Sequence, residues 1–307
     1  LSTWARNSPL AVDHIVAGNF EQAMRLLRDQ VGIASFDALK PAFLEIYAAS
    51  RTVLPTVPFG APLRIPLLTT AAGAARPQPA QIYSLASSLE QVQEGYRATT
   101  AAKFEEALAL FRQLLLSLVF VRVGTADDAS EVKQVVQTCR EYIVGIEIEL
   151  ARAAIAKEEP TEEAATRLVE LAAYFTHCQL RADHEKLALR LAMNTAYKQK
   201  CFKAAGEFAQ RLLDLVPAAA VADKARKMIT ICDRQSRDAL AIDYDARSPF
   251  VVCAASHSPI HRGDAAVECP YCGASYKPEF DGELCRVCTV ARIGAKATGL
   301  CSHAAAE

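Results

Sequence analysis

The chain has 307 residues, 51% of them hydrophobic and 22% charged, and its 34 basic side chains nearly balance 35 acidic ones for a net charge of -1. That apolar content excludes a chain disordered throughout and is enough for one large or two ordinary domains. The charge balance argues against a dedicated nucleic-acid binder, which needs a basic surplus to neutralise phosphates.

No run of about 18 uncharged apolar residues occurs, so no membrane span is read. The nearest candidate, Ala107 to Val123, is broken by Arg112, Gln113, Ser117 and Arg122. The opening LSTWARNSPL has neither the charged start nor the apolar run of a signal peptide. It also lacks an initiator methionine, so the chain reads as a piece of something longer.

Taken in order, the first recognisable element is Asn19-Phe20-Glu21-Gln22-Ala23. Lys103-Phe104-Glu105-Glu106-Ala107 and Cys201-Phe202-Lys203-Ala204-Ala205 resemble it. An aromatic followed three residues later by alanine fits the first helix of a tetratricopeptide-type hairpin, but intervals of 84 and 98 residues do not fit a regular repeat of about 34. The pattern therefore predicts an irregular helical solenoid, with ordinary amphipathic packing as the plainer alternative.

Seven of the fourteen prolines fall between Pro41 and Pro79. Within that zone Arg51 to Thr70 is apolar as well as proline-rich, which forbids a helix or a central strand and leaves an extended arm, edge strands or a hairpin turning near Phe59-Gly60. Val53, Leu54, Val57, Phe59, Leu63, Ile65 and Leu67 must cover the protein's own core or insert into a partner.

From Ala80 to Ser248 only Pro160 and Pro217 interrupt the chain. Phe104, Ala107, Leu108, Phe111, Leu114, Leu115 and Leu118 form one helical stripe, and Phe202, Ala205, Phe208, Ala209, Leu212 and Val216 form another. Gly124 to Ser130 reads as a loop, Pro160 with Thr161, Glu162 and Glu163 as a helix start, and Pro217 as the end of the helix holding Leu212 and Leu213.

Of ten cysteines, Cys139, Cys178, Cys201 and Cys232 stand singly in helix-like segments, and six crowd the last 55 residues. That split fits a reduced compartment and a metal site better than a disulfide scaffold. Cys269-Pro270-Tyr271-Cys272-Gly273 and Cys285-Arg286-Val287-Cys288 are two Cys-x-x-Cys knuckles, which supply the four thiolates of a closed, structural zinc site. A closed site leaves no position for water, so the metal holds the fold and does no chemistry. Short strand-like runs such as Arg286 to Ile293 complete a small domain with a thin core of its own. Cys253, His257, His261, Cys301 and His303 have no convincing ligand spacing.

Catalytic patterns are missing. There is no phosphate loop, no G-x-S-x-G elbow, and His184-Glu185 lacks the second histidine of H-E-x-x-H. His177 beside Cys178 is read as facing another side of a helix, which disfavours a nucleophile and base pair.

Several strings together resemble the C-terminal domain of the coatomer alpha subunit family. They include LAVDHIVAGNFEQAMRLLRDQVGI (Leu10 to Ile33), LKPAFLEIYAASRTVLP (Leu39 to Pro55), KFEEALALFRQLLLS (Lys103 to Ser117), CREYIVGIEIE (Cys139 to Glu149), AAYFTHCQL (Ala172 to Leu180), FVVCAASHSPIHRG (Phe250 to Gly263) and YKPEFDGELCRVCTVARIG (Tyr276 to Gly294). The resemblance implies a piece of the COPI vesicle coat, which retrieves cargo from Golgi to endoplasmic reticulum. It also implies docking of the coatomer epsilon subunit, whose tetratricopeptide repeats wrap around an extended element of alpha, here the arm. The other coatomer subunits would be met through the remainder of the chain. Cytoplasmic location, with peripheral attachment to Golgi membrane and coated vesicles through the assembled coat, follows from the same resemblance.

The expected fold is mainly α: an irregular TPR-like solenoid over 1–246, carrying an extended arm at about 51–70, then a small zinc-ribbon-like β domain over 247–307. The expected function is a non-enzymatic scaffold with Zn2+ as its structural cofactor and no nucleic-acid partner. The alternative is a zinc-ribbon nucleic-acid or ubiquitin-pathway adaptor on a helical scaffold.

Overall fold

The computed structural model describes residues 5, 7–54, 60, 63–69, 78–157, 159, 161–235 and 238–303. Val57 and Phe59 of the expected arm lie outside these residues, as does the side chain of Leu63. Among the described residues the chain is mainly helical, with small two-stranded sheets.

Three helical hairpins share one turn. α1 (Ala11–Val16) leads into α2 (Phe20–Val31), α4 (Leu85–Thr100) into α5 (Phe104–Leu118), and α8 (Ala182–Lys198) into α9 (Phe202–Asp214). In each, the residue two before the phenylalanine sits at positive φ: Gly18 at 78°, Ala102 at 57° and Lys200 at 59°. The next residue, Asn19, Lys103 or Cys201, donates its N–H to a carbonyl five residues back and caps the second helix. This reversal consumes the orphan carbonyls at the end of the first helix. The Phe-x-x-Ala segments thus open the second helix of each hairpin, not the first, because the left-handed residue before each cap has already closed a helix.

Two further expectations change. Gly124 to Ser130 is not a loop throughout: Thr125 caps α6 (Ala126–Ile155) by accepting from Asp128 N–H at 3.1 Å, and Asp127 and Asp128 occupy its first turn, where the helix dipole favours acids. Val216 does not continue the α9 stripe. Ala205, Phe208, Ala209 and Leu212 are fully buried, but Val216 follows the helix at φ 49° and is 82% exposed.

α6, roughly 45 Å long at 1.5 Å per residue, packs against α4, α5 and α7 (Glu162–Phe175). Its buried Val132, Val136, Cys139, Ile143 and Ile146 meet α5 on one side and α7 on the other. Phe111 and Tyr142 pack with ring centroids 4.8 Å apart, and burying rings of this size contributes about 2–3 kcal/mol each. From α7 through α10 (Ala219–Arg234) a second cluster is built largely of alanine: Ala172, Ala173, Ala192, Ala196, Ala204, Ala205, Ala209 and Ala225. Small side chains there let the helices approach closely.

After α3 (Lys40–Ala49) the proline-rich zone forms antiparallel pairs. β1 (Arg51–Leu54) pairs with β2 (Leu63–Pro66) in the register Arg51 to Pro66 and Leu54 to Leu63, and β3 (Leu68–Thr69) pairs with β4 (Gln78–Pro79). Prolines fit here because two-stranded ribbons consist of edges, where a missing N–H costs little.

The last stretch contains β5 (Phe250–Val252) paired with β6 (Pro259–His261), and β7 (Val267–Glu268) paired with β8 (Ser275–Tyr276). Arg286 to Ile293 is not strand-like. It turns tightly and touches its neighbours through isolated bridges, Leu284 to Arg292 and Ile33 to Ala291. The largest core cluster joins this stretch to the helices, for Tyr271, Val287, Val290 and Ile293 belong to the same cluster as Leu27, Leu115 and Ile143.

Candidate metal centre and exposed hairpin

The knuckle Cys269 to Gly273 forms the reversal of the β7–β8 hairpin. Gly273 N–H donates to Cys269 O at 2.9 Å and Cys269 N–H to Ala274 O at 2.9 Å, so the two sulfurs lean to one side of the turn. Gly273 has φ 69°, and a Cβ there would meet Arg140 Nη1 at 2.8 Å. Glycine therefore serves two ends at once: the left-handed turn and the approach of a guanidinium that donates to Gly273 O at 3.1 Å.

The second knuckle, Cys285 to Thr289, repeats the turn with Thr289 at φ 63° donating to Cys285 O at 2.9 Å. Together the knuckles bring the four sulfurs of Cys269, Cys272, Cys285 and Cys288 within 4.8 Å of one another, all buried. Cys269 Sγ lies 3.7 Å from Cys288 Sγ, and Cys272 Sγ 3.6 Å from Cys285 Sγ. A tetrahedron with zinc–sulfur arms of about 2.3 Å has edges of about 3.8 Å, so the donor set fits that ion in number, chemistry and size.

The surroundings supply hydrogen bonds to sulfur. Tyr276 Oη lies 3.1 Å from Cys285 Sγ, and Cys288 N–H donates to the same sulfur at 3.4 Å. Burial, followed by hydrogen bonding among the sulfurs, raises the Cys272 thiol well above its ordinary range. At Cys285 burial opposes ionisation, but hydrogen bonds from Cys269, Cys272, Cys288 and Tyr276 outweigh it and hold the thiol far below that range. Four thiols packed this closely cannot all ionise without a cation among them.

The knuckles are seated on the helical part. Tyr271 Oη donates to Leu115 O, Arg140 reaches the first knuckle from α6, and Ala34 N–H donates to Val290 O at 2.8 Å. Gly32, at φ 66° after α2, faces Pro270: a Cβ at Gly32 would come within 2.6 Å of the proline ring.

A third knuckle lies between β5 and β6. Cys253, Cys269 and Cys285 stand 16 residues apart, as do Ser256, Cys272 and Cys288. His257, at φ 51°, donates to Cys253 O at 2.9 Å, as Gly273 and Thr289 do in the other two. Ser256 replaces the second cysteine. Burial opposes ionisation of Cys253, but the Ser256 hydroxyl and the N–H groups of Ser256, Lys277 and Ala255 outweigh it and lower the thiol's pKa. Cys253, His257, His261, Cys301 and His303 join no metal-sized cluster of three ligands among the described residues. The 16-residue interval was the signal in the sequence for this repeat; Tyr276, Tyr271 and Arg140 had none, because their partners lie far along the chain or on another element.

The β1–β2 hairpin presents apolar residues outward. Val53 is 52% exposed, Leu54 45% and Leu67 41%, while Ile65 is half-buried. Its base is fixed: Arg51 stacks 4.1 Å over the Tyr47 ring and donates from Nη2 to Val16 O at 2.9 Å, and Leu67 N–H donates to Ser50 O at 2.7 Å.

No nucleophile and base pair is assembled at His177 and Cys178. The pair lies in the turn after α7, with His177 Nε2 3.1 Å from Tyr244 Oη, and burial raises the Cys178 thiol beyond its ordinary range. Among the described residues no helix is long and apolar enough to cross a membrane.

A family model for the C-terminus of the coatomer (COPI) alpha subunit matches residues 1–306. The chain is similar to coatomer subunit alpha of Dictyostelium discoideum, 39% identical over 97% of this chain, and to coatomer subunit alpha-1 of Arabidopsis thaliana, 39% identical over 97%. Coatomer subunit alpha of Saccharomyces cerevisiae is 32% identical over 97%. In each case the matched region is 24% of the relative, so the chain spans about a quarter of the length of these proteins.

Proposed function

The chain belongs to the family formed by the C-terminus of the coatomer (COPI) alpha subunit, and on that premise we propose that it is a non-catalytic scaffold piece of the COPI vesicle coat that binds the coatomer epsilon subunit through the β1–β2 hairpin. The observation that carries this reading is the hairpin itself: a ribbon anchored at its base by Arg51 that holds Val53 and Leu54 half in water. Exposed apolar groups on a preordered ribbon suit burial in a concave partner such as a tetratricopeptide superhelix. Val57, Phe59, Leu63, Ile65 and Leu67 extend the same proposed surface. Cytoplasmic location, peripheral on Golgi membranes and coated vesicles, belongs to the same reading, as does the absence of a nucleic-acid partner.

The second part of the proposal is a structural zinc ion held by Cys269, Cys272, Cys285 and Cys288. Its support is the fit of the sulfur separations to a zinc tetrahedron. Bound there, zinc would tie the two knuckles together and leave no open coordination position. We propose that residues 247–307 form a zinc-organised β unit on a TPR-like helical scaffold of residues 1–246. The repeated hairpin turns and the knuckle repeat support that division.

The test is size-exclusion chromatography with light scattering on this chain, alone and mixed with the coatomer epsilon subunit at about 10 μM, where a stable interface is saturated. A one-to-one complex is expected, lost in the Val53→Glu, Leu54→Glu double variant while far-UV circular dichroism is unchanged. Separate elution of the native pair would overturn the hairpin reading.

A further inference from the structure

α8 and α10 both pack against α9 and leave a cleft of about 490 Å³ between them. Met193 lies at its floor, 2% exposed, with Met228 partly buried beside it and Ile231 39% exposed. These are two of the three methionines in the chain. Methionine has an unbranched, polarisable side chain that repacks around differently shaped apolar groups, which suits a surface that receives a ligand.

The rim is cationic. Arg190 from α8 and Lys224 and Lys227 from α10 line the cleft, and no acidic side chain does. None of the three makes an ion pair among the described residues, whereas Arg226, one position from Lys227 but outside the cleft, is paired with Asp223 at 2.9 Å. Lys224, Lys227 and Ile231 recur at i, i+3 and i+7, so α10 presents charge and apolar surface on one stripe. In a chain whose total charge is only -1, three uncompensated cations above an apolar floor are a local departure from balance.

We propose that this cleft is a docking site for an acidic amphipathic segment of a partner protein, its apolar side chains entering between Met193 and Met228 and its carboxylates meeting Arg190, Lys224 and Lys227. Shape favours a peptide over a lipid surface, because a flat bilayer resting on the rim would leave Met193 untouched at the bottom.

The experiment titrates the 307-residue chain into a fluorescein-labelled peptide of 14 residues, with leucines at i, i+3, i+4 and i+7 and glutamates elsewhere, and follows anisotropy. A second peptide carries lysines in place of the glutamates, and phosphatidylserine vesicles are tested by co-sedimentation. Saturable binding of the acidic peptide alone is expected. Lys224→Glu with Lys227→Glu should weaken it at least tenfold, Met228→Ala several-fold, and a rise in salt from 0.05 to 0.3 M several-fold, because the rim charges are exposed to screening. Arg226→Glu, a single charge reversal outside the cleft, should leave affinity within twofold. Equal binding of the lysine peptide, indifference to the lysine substitutions, or an equal loss with Arg226→Glu would overturn the proposal. Lysine-dependent sedimentation with vesicles and no peptide binding would overturn it in favour of a membrane.

Discussion

The Tyr276 hydroxyl stands 3.1 Å from Cys285 Sγ while accepting the Arg286 N–H at 3.0 Å. With one lone pair occupied by that backbone donor, its proton is free to point at sulfur, and a charged sulfur gains more from it than a neutral one. Outer hydrogen bonds of this kind typically contribute 10- to 100-fold in metal affinity. Tyr276→Phe should therefore lower zinc affinity by roughly that factor, measured by competition with a chromogenic chelator. An affinity unchanged within threefold would mean that the hydroxyl only packs.

Metal removal should reach beyond the knuckles. Tyr271, Val287 and Ile293 share a core cluster with Leu27 and Leu115, so freeing the four sulfurs loosens packing against α2 and α5. A native chain is expected to carry one equivalent of zinc, and a chelator should lower the thermal midpoint of the helical signal by several degrees, as loss of a ligand specific to the folded state requires. Cys285→Ser should reproduce the effect. Cys253→Ser should keep the zinc content at one, since the third knuckle closes on Ser256 and backbone amides. A metal content of two, or a helical melt indifferent to chelation, would contradict this reading.

How far the sequence disclosed these features depends on how local their causes are. The four-cysteine cluster was legible because a Cys-x-x-Cys turn carries its chemistry within five residues, and the hairpin because closely spaced prolines exclude a helix interior, whereas a single one such as Pro41 fits the first turn of α3. The start of α6 was misread, since Thr125 looks like any loop threonine until its hydroxyl is seen accepting from Asp128. Arg286 to Ile293 looks strand-like because Val287, Thr289, Val290 and Ile293 are β-branched, but Thr289, at φ 63° and bonded back to Cys285 O, reverses the chain within it. The seating of the first knuckle was beyond reach: Arg140 and Gly273 are 133 residues apart, and only the fold makes that arginine the reason for that glycine.

Two helical glycines should respond to alanine with opposite signs. A Cβ at Gly95 would lie 2.6 Å from Phe111 Cζ, in a ring that is fully buried and has nowhere to move. Overpacking costs up to about 3 kcal/mol, against the ~1 kcal/mol that alanine gains over glycine in a helix, so Gly95→Ala should destabilise by up to about 2 kcal/mol. At Gly206 the nearest atom to an added Cβ is Cys232 Cβ at 3.5 Å, an ordinary contact. Gly206→Ala should stabilise by about 0.5–1 kcal/mol. Urea midpoints of the two variants decide the matter, and shifts of the same sign would refute the packing argument.

His177 should give the chain a sensitivity to mild acid. Its Nε2 faces Tyr244 Oη at 3.1 Å and Arg211 Nη1 at 3.5 Å, and its ring packs against Phe250 of β5 with centroids 4.6 Å apart. Burial, then the Arg211 charge, lower its pKa from 6.5 to about 4. A depressed folded value means that the unfolded chain takes up the proton first, so stability is full above about pH 6.5 and declines as the pH falls toward 4. At pH 5.5, before thiolate protonation releases a metal, the loss should be about 1 kcal/mol after allowing for partial exposure of the ring. His184 and His257, also held down chiefly by burial, add to the decline in the native chain. His177→Gln keeps an acceptor for Tyr244 and Arg211 but cannot titrate. Urea titrations at pH 7.5 and 5.5 should therefore show a smaller loss in the variant, and an identical loss would place the acid sensitivity elsewhere.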